Sequence, residues 1–315
     1  MKARLFVALV VGAMLTMSLS AMALPVYDPS VNGVVTAWQP MFSDNFDQDS
    51  GRWVYTNAAV RVNGHARLTP NATTQVGVMW FDTQVAYDFQ VEFDYLIEGG
   101  NHADGMVFMF FKQQDGYVPS TGGSMGFFQY PNTPAEGYGV ELDTYCNQNI
   151  GNEPYTNPPE NHAYLGIIQN TPWNHLATVA EPRVRDAEAA GHHIKVNVDN
   201  KLISVYIDDM DNAILTWTGE IDRGHGGFGF GAGTGGRTDN HWIDNVEISK
   251  KVTYLVENGK VVSQVDVVQG PEEQIEDAPV HESATWTMIA GNTVLLVITI
   301  FIVLLIARGI MVRRR

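Results

Sequence analysis

Cysteine is almost missing from this chain: its 315 residues include one, Cys146. A single thiol excludes any disulfide within the chain, so an exported protein of this composition is held by a core and not by cross-links. Cys146 itself reads as a small packing residue. Basic residues are scarce too, with 19 Lys and Arg against 35 Asp and Glu. Six of the basic ones sit at the two ends: Lys2, Arg4, Arg308, Arg313, Arg314 and Arg315. The stretch between carries a formal charge of 13 − 35 = −22, which repels nucleic acid phosphates and anionic lipid heads and suits cations and neutral ligands. Helical periodicity is nearly lacking, and there is no strand–helix alternation, which argues against a parallel α/β sheet. No internal repeat is present.

Two long apolar runs stand at the ends. Residues 1–23 begin with Lys2 and Arg4, continue through Leu5 to Leu15, and close on Ala21-Met22-Ala23. This is the order of a secretory signal with a small-x-small cleavage site, giving a mature start near Leu24. Trp286 to Ala307 holds no charged residue, and Val294 to Ile306 is almost wholly aliphatic. At about 1.5 Å per residue such a helix spans a hydrocarbon core of about 30 Å. The arginines of residues 308–315 follow at once, so the positive-inside bias puts the C-terminus in the cytoplasm and everything before Trp286 outside. A lipid-anchor signal normally ends in its apolar tail, and the terminal arginines argue against one.

Between Phe42 and Ser249 period-two alternation dominates. Phe89 to Tyr95, Ile194 to Val198 and Leu202 to Ile207 each read as strands with one buried face. Asp199-Asn200-Lys201 separates the last two as a tight hairpin connection. Met106 to Phe111 is uninterrupted apolar sequence, as in a strand covered on both sides. Glu181 to Ala190 is the one helix-like segment before the C-terminal run, short enough to be an ordered loop. Many short strands of this kind predict a β-sandwich or jelly roll over residues 24–250, and roughly 225 residues suffice for a single core. Residues 251–285 read as a hairpin about Asn258-Gly259 followed by an acidic, proline-flanked stalk. Residues 286–307 form the membrane helix and 308–315 the tail. Asn71-Ala72-Thr73 is the one glycosylation sequon.

Chemistry concentrates in Tyr138 to Ile167. A strand over Val140 to Thr144 sends Glu141 and Asp143 to one face. A loop rich in oxygen donors follows, with Asn147, Asn149, Asn152, Asn157 and Glu160, and then His162 before a second strand, Tyr164 to Ile168. Hard cations such as Ca²⁺ take six to eight oxygens from carboxylates, amides and carbonyls, and this pattern can supply them. Alone it is equally a polar surface loop. Three further segments accompany it: His102-Ala103-Asp104-Gly105 before the apolar strand, the loop Thr121-Gly122-Gly123-Ser124-Met125-Gly126, and Gly229 to His241, which reads GFGAGTGGRTDNH.

In this order the segments resemble the L-type lectins, that is, the legume seed lectins and the animal secretory-pathway cargo lectins, over roughly residues 42 to 249. The resemblance implies a concanavalin-A-like jelly roll of three sheets, calcium-dependent glycan binding and no enzymatic activity. It implies that Asp143, the Tyr145 carbonyl and Asn147 hold Ca²⁺, and that Glu141 and His162 belong to a second, transition-metal site such as the Mn²⁺ site of the plant proteins. The plant pattern has an acid five residues before the histidine, shared by both metals; here that position is Asn157, a neutral amide, which weakens the second site. Sugar contacts carry over to Asp104, Gly123, Asn147, Gly235, Gly236 and Arg237, with the Ala103–Asp104 bond cis. Tyr145 and Tyr130 are the candidates for stacking on a sugar ring. Two other readings stay open. Laminarinase-like glycoside hydrolases share the jelly roll and carry E-x-D-x-x-E, but Cys146 stands in place of the last glutamate. A lectin fold used for adhesion or structure, without a sugar site, is the other. Sugar identity and oligomeric state are not written in the sequence.

Overall fold

The computed structural model describes residues 25, 27–128, 135–147, 161–185 and 191–265. The expected signal over residues 1–23, the stalk beyond 265, the membrane helix over 286–307 and the tail lie outside the described residues. Among those described, no helix is long and apolar enough to cross a membrane.

The described chain is all-β, with every strand pair antiparallel. A seven-stranded sheet runs β10 (Thr171–Ala180), β9 (Tyr164–Gln169), β8 (Tyr138–Asp143), β7 (Gly105–Lys112), β14 (Gly227–Gly233), β5 (Val76–Phe81) and β2 (Trp53–Asn57). A nine-stranded sheet runs β13 (Leu215–Thr218), β12 (Leu202–Ile207), β11 (His192–Asp199), β6 (Phe89–Glu98), β15 (Asn240–Glu257), β4 (His65–Thr69) and β3 (Val60–Val62). In that sheet β1 (Gly33–Asp44) and β16 (Lys260–Val265) also pair with β15.

The alternation in β6 is clean: Phe89, Val91, Phe93, Tyr95 and Ile97 are buried and the residues between them are not. Facing them across the sandwich are Phe108, Phe110, Phe228 and Phe230, in tilted and edge-on ring contacts. All of β7 is buried, because its other face, with Val107 and Met109, is covered by Met125 and Phe127. That cover is an irregular segment with a single 3₁₀ turn at Gly122–Ser124. Where the family resemblance implied three sheets, the described residues form two sheets and this segment supplies the third layer.

The strand and turn expectations hold. Asp199 and Leu202 close the β11–β12 hairpin. The β15–β16 hairpin turns on Asn258 and Gly259, both at positive φ, as a two-residue turn demands. β15 runs unbroken through residue 250 into that hairpin. Of the helix-like segment, the described residues 181–185 hold one 3₁₀ turn, Pro182–Val184, with Glu181 capping it through the Arg183 N–H. Residues 186–190 lie outside the described residues. Cys146 is buried, as a packing residue should be.

Phe108 joins the two sheets through five ring neighbours, so truncating it removes contacts that cannot close up. Phe108→Ala is expected to cost about 3–5 kcal/mol in urea unfolding, whereas Val34→Ala, at a 70% exposed position, should change stability by no more than about 0.5 kcal/mol. Equal losses at the two positions would contradict this core.

Candidate functional site

Three strand ends meet at one edge of the seven-stranded sheet. Gly105 of β7 pairs with Asp143 of β8 on one side and with Gly233 of β14 on the other. The residues just outside these ends therefore share one place: Asp104, the turn after Asp143, and the loop after Gly233. Backbone bonds fix the arrangement. Asp104 N–H donates to the Gly233 carbonyl at 3.0 Å, and Thr144 N–H donates to the Asp104 carbonyl at 3.0 Å. The Gly122 N–H donates to the Thr234 carbonyl at 3.0 Å, which brings the third loop in. The Ala103–Asp104 bond is cis, as the resemblance implied.

Asp104 is 4% exposed. Burial pushes its carboxyl up to about 7, against the Asn147 amide and the Gly235 N–H, which approach it and favour the charged form. Neither gives Oδ2 a hydrogen bond of good geometry, so that buried oxygen still has acceptor capacity. Two glycines bring the backbone close to these side chains. A Cβ on Gly123 would lie 2.5 Å from the Asn147 amide nitrogen, and one on Gly235 would lie 3.1 Å from Asp104 Oδ2. Gly236 is exposed, with open space where a side chain would be. The Arg237 guanidinium lies 5.9 Å from the Tyr145 ring centre and donates to the Asn101 carbonyl at 3.0 Å. Asp104, Gly123, Asn147 and Gly235 thus form one cup, with Tyr145 and Arg237 beside it. Tyr130 lies outside the described residues.

A clamp that the sequence did not disclose holds the Asp104 turn. Asp239 is buried, and its carboxylate accepts from the Gly100 N–H at 3.0 Å and the Ala103 N–H at 3.1 Å. Burial raises it to about 6 despite these bonds. Thr238 exchanges two bonds with Asn101: its N–H donates to the Asn101 amide oxygen and its carbonyl accepts the Asn101 N–H, both at 2.8 Å. Asn71 of the sequon donates to the Gly99 carbonyl and accepts from the Thr238 hydroxyl. Asp239 stands within the DNH run already singled out, but nothing in that run assigns it two backbone partners some 140 residues back.

Of the calcium donors, Asp143, the Tyr145 carbonyl and Asn147 lie within one tight turn. The Tyr145 N–H donates to Asp143 Oδ1 at 2.8 Å, and the Asn147 amide donates to the Tyr145 carbonyl at 3.1 Å. One carboxylate, one carbonyl and one amide are of the donor type a hard cation takes, and they are three of the six to eight oxygens calcium would need. Asn157 lies outside the described residues. The second, transition-metal set does not fit. Glu141, fully buried, meets His175 Nε2 at 2.6 Å, and His162 Nε2 stands 3.9 Å from Asp143 Oδ1. Among the described residues no three of His, Cys, Asp and Glu are placed to hold a metal.

The profile of the legume-like lectin family matches residues 39–258. Among solved structures, the exoplasmic/lumenal domain of VIP36 in its Ca²⁺/Man3GlcNAc-bound form aligns with a TM-score of 0.53 and 21% identity, over 67% of this chain and 90% of that one. The Bauhinia forficata lectin in complex with GalNAc aligns at 0.56 and 18%, over 70% and 99%, and a Lotus tetragonolobus seed lectin isoform at 0.53 and 19%, over 69% and 99%. At these identities the structural likeness establishes the fold. No curated protein sequence matches the chain.

Removing the Asp239 carboxylate strips two backbone N–H groups of their partners. Asp239→Ala is expected to cost about 1–3 kcal/mol and to speed amide hydrogen exchange at Gly100 and Ala103 while leaving β6 protected. Unchanged exchange at those two amides would refute the clamp.

Proposed function

The chain belongs to the legume-like lectin family, and from that premise we propose that its head binds glycans in a calcium-dependent way at the cup of Asp104, Asn147 and the Gly235 loop. The observation that carries this reading is the meeting of Asp104 and Asn147, forty-three positions apart in sequence, over two glycines whose missing side chains keep the cup open.

The chemistry follows from the residues. Ionised Asp104 accepts hydrogen bonds from two neighbouring sugar hydroxyls, and charge-assisted acceptors are the stronger kind. Asn147 donates to one of those hydroxyls and turns its amide oxygen to the cation. The open space at Gly236 admits the ring toward the backbone. The Tyr145 face, beside Arg237, suits the apolar side of a sugar. Asp143, the Tyr145 carbonyl and Asn147 hold the calcium, whose charge keeps the loop oxygens together. VIP36, solved with Ca²⁺ and Man3GlcNAc, supports the pairing of ion and glycan in this fold. Buried Cys146 takes the position the hydrolase motif gives to its last glutamate, which supports binding over hydrolysis. The head works outside a membrane: residues 1–23 direct export, residues 286–307 span the bilayer, and the acidic stalk spaces the two.

Titration of the full-length protein in detergent with glycans identified on an array tests the site. Chelator should abolish binding, and Asp104→Asn should weaken it at least about tenfold. Binding indifferent to both would sink the proposal. The ionised form of Asp104 is the acceptor, so affinity should fall as the solution is acidified. With calcium present the midpoint should lie below about 7, because a nearby cation favours the charged carboxylate. Affinity constant from pH 7 to pH 4 would contradict that role. In sealed vesicles, added protease should remove the head from one side only; cleavage of residues 308–315 from that same side would refute the topology.

A further inference from the structure

Glu141 is the most demanding charged group in the head. Its side chain is fully buried, and neither carboxylate oxygen has a hydrogen bond of good geometry. Burial drives its carboxyl well above the usual range. A group of this kind needs partners, because a buried polar atom left without one costs free energy. Its surroundings are built for it. Gly166, its partner across β8 and β9, has no side chain, and a Cβ there would lie 2.3 Å from Glu141 Oε1. His175 reaches in from β10 with a side chain only 4% exposed and puts Nε2 2.6 Å from the same oxygen. The Tyr164 hydroxyl lies 2.9 Å from that Nε2 and 3.3 Å from Asp143 Oδ2.

These contacts form a continuous path, Glu141 to His175 to Tyr164 to Asp143. The two carboxylates that a second cation would bridge are joined through an imidazole and a phenol of the chain itself. We propose that His175 and Tyr164 occupy the second-cation position, so that this head takes no transition metal there. The neutral residue at 157 agrees with it: a site that carries its own donors has no use for a shared acid. The inference rests on the calcium reading above only through Asp143, which serves both sites.

The test is metal content of the full-length protein in detergent, stripped with chelator and then equilibrated with Ca²⁺ together with Mn²⁺ or Co²⁺. Expected are about one calcium and less than about a tenth of a transition ion per chain, with no Co²⁺ absorption band in the visible. About one Co²⁺ or Mn²⁺ per chain alongside calcium overturns the proposal. A chain that binds neither ion loses the calcium reading and keeps this one. His175→Ala gives a second measure, since it takes the imidazole away from buried Glu141. Its thermal midpoint should fall and then recover when Co²⁺ is added, while the wild-type midpoint does not move with Co²⁺. A variant that folds with an unchanged midpoint counts against His175 as the occupant. If the variant fails to fold, the wild-type metal content alone decides.

Discussion

The cup depends on one constraint: Asp104 is pinned by its own backbone between two strands that share Gly105 as a neighbour. Its N–H is committed to Gly233 and its carbonyl to Thr144, so the side chain cannot swing away when it is buried. A carboxylate held in place against desolvation is a poor contributor to stability and a strong acceptor for a ligand. Everything else at the site either supports that residue or makes room beside it.

Besides Asp143, three buried acids in this part of the head meet three kinds of surroundings. Asp239 is met by backbone N–H groups and ties a loop. Glu141 is met by an imidazole from a neighbouring strand and closes the region behind the cup. Asp104 retains capacity at Oδ2 and faces the cup. Burial pushes all three carboxyls upward, so the shift alone does not distinguish structure from function; the partners do. This division also separates the two cation positions implied by the fold. The front one offers oxygens from a single turn, and the rear one is filled by the protein.

Much of this was legible from the order of residues. The alternation of β6 and the unbroken apolar run of β7 each announce their burial, and Asp104, Gly123, Asn147 and Gly235 come together as their motifs implied. The rest was not local. Asp239 acts through N–H groups of a distant loop, and no spacing within its own run encodes them. His175 escapes a period-two reading because β10 breaks register with β9 on both sides of it, between Thr171 and His175 and again between His175 and Ala177. Those irregularities turn it toward Glu141. The helix-like stretch after Glu181 has proline next and forms a 3₁₀ turn over its described part, and there the short polar pattern left helix and ordered loop undecided. The segment over β7 was legible as a glycine-rich loop, but not that Met125 and Phe127 within and beside it cover the outer face of that strand.

The central claim is that a cation and a sugar share Asn147, so that each strengthens the other's binding. Coupling of this kind is reciprocal: calcium should bind more tightly when glycan is saturating, by the same factor by which glycan binds more tightly when calcium is saturating. Calorimetric titration of calcium with and without saturating glycan measures it directly. Matching factors well above one are what a shared Asn147 predicts, and equal calcium affinities in the two titrations would contradict it.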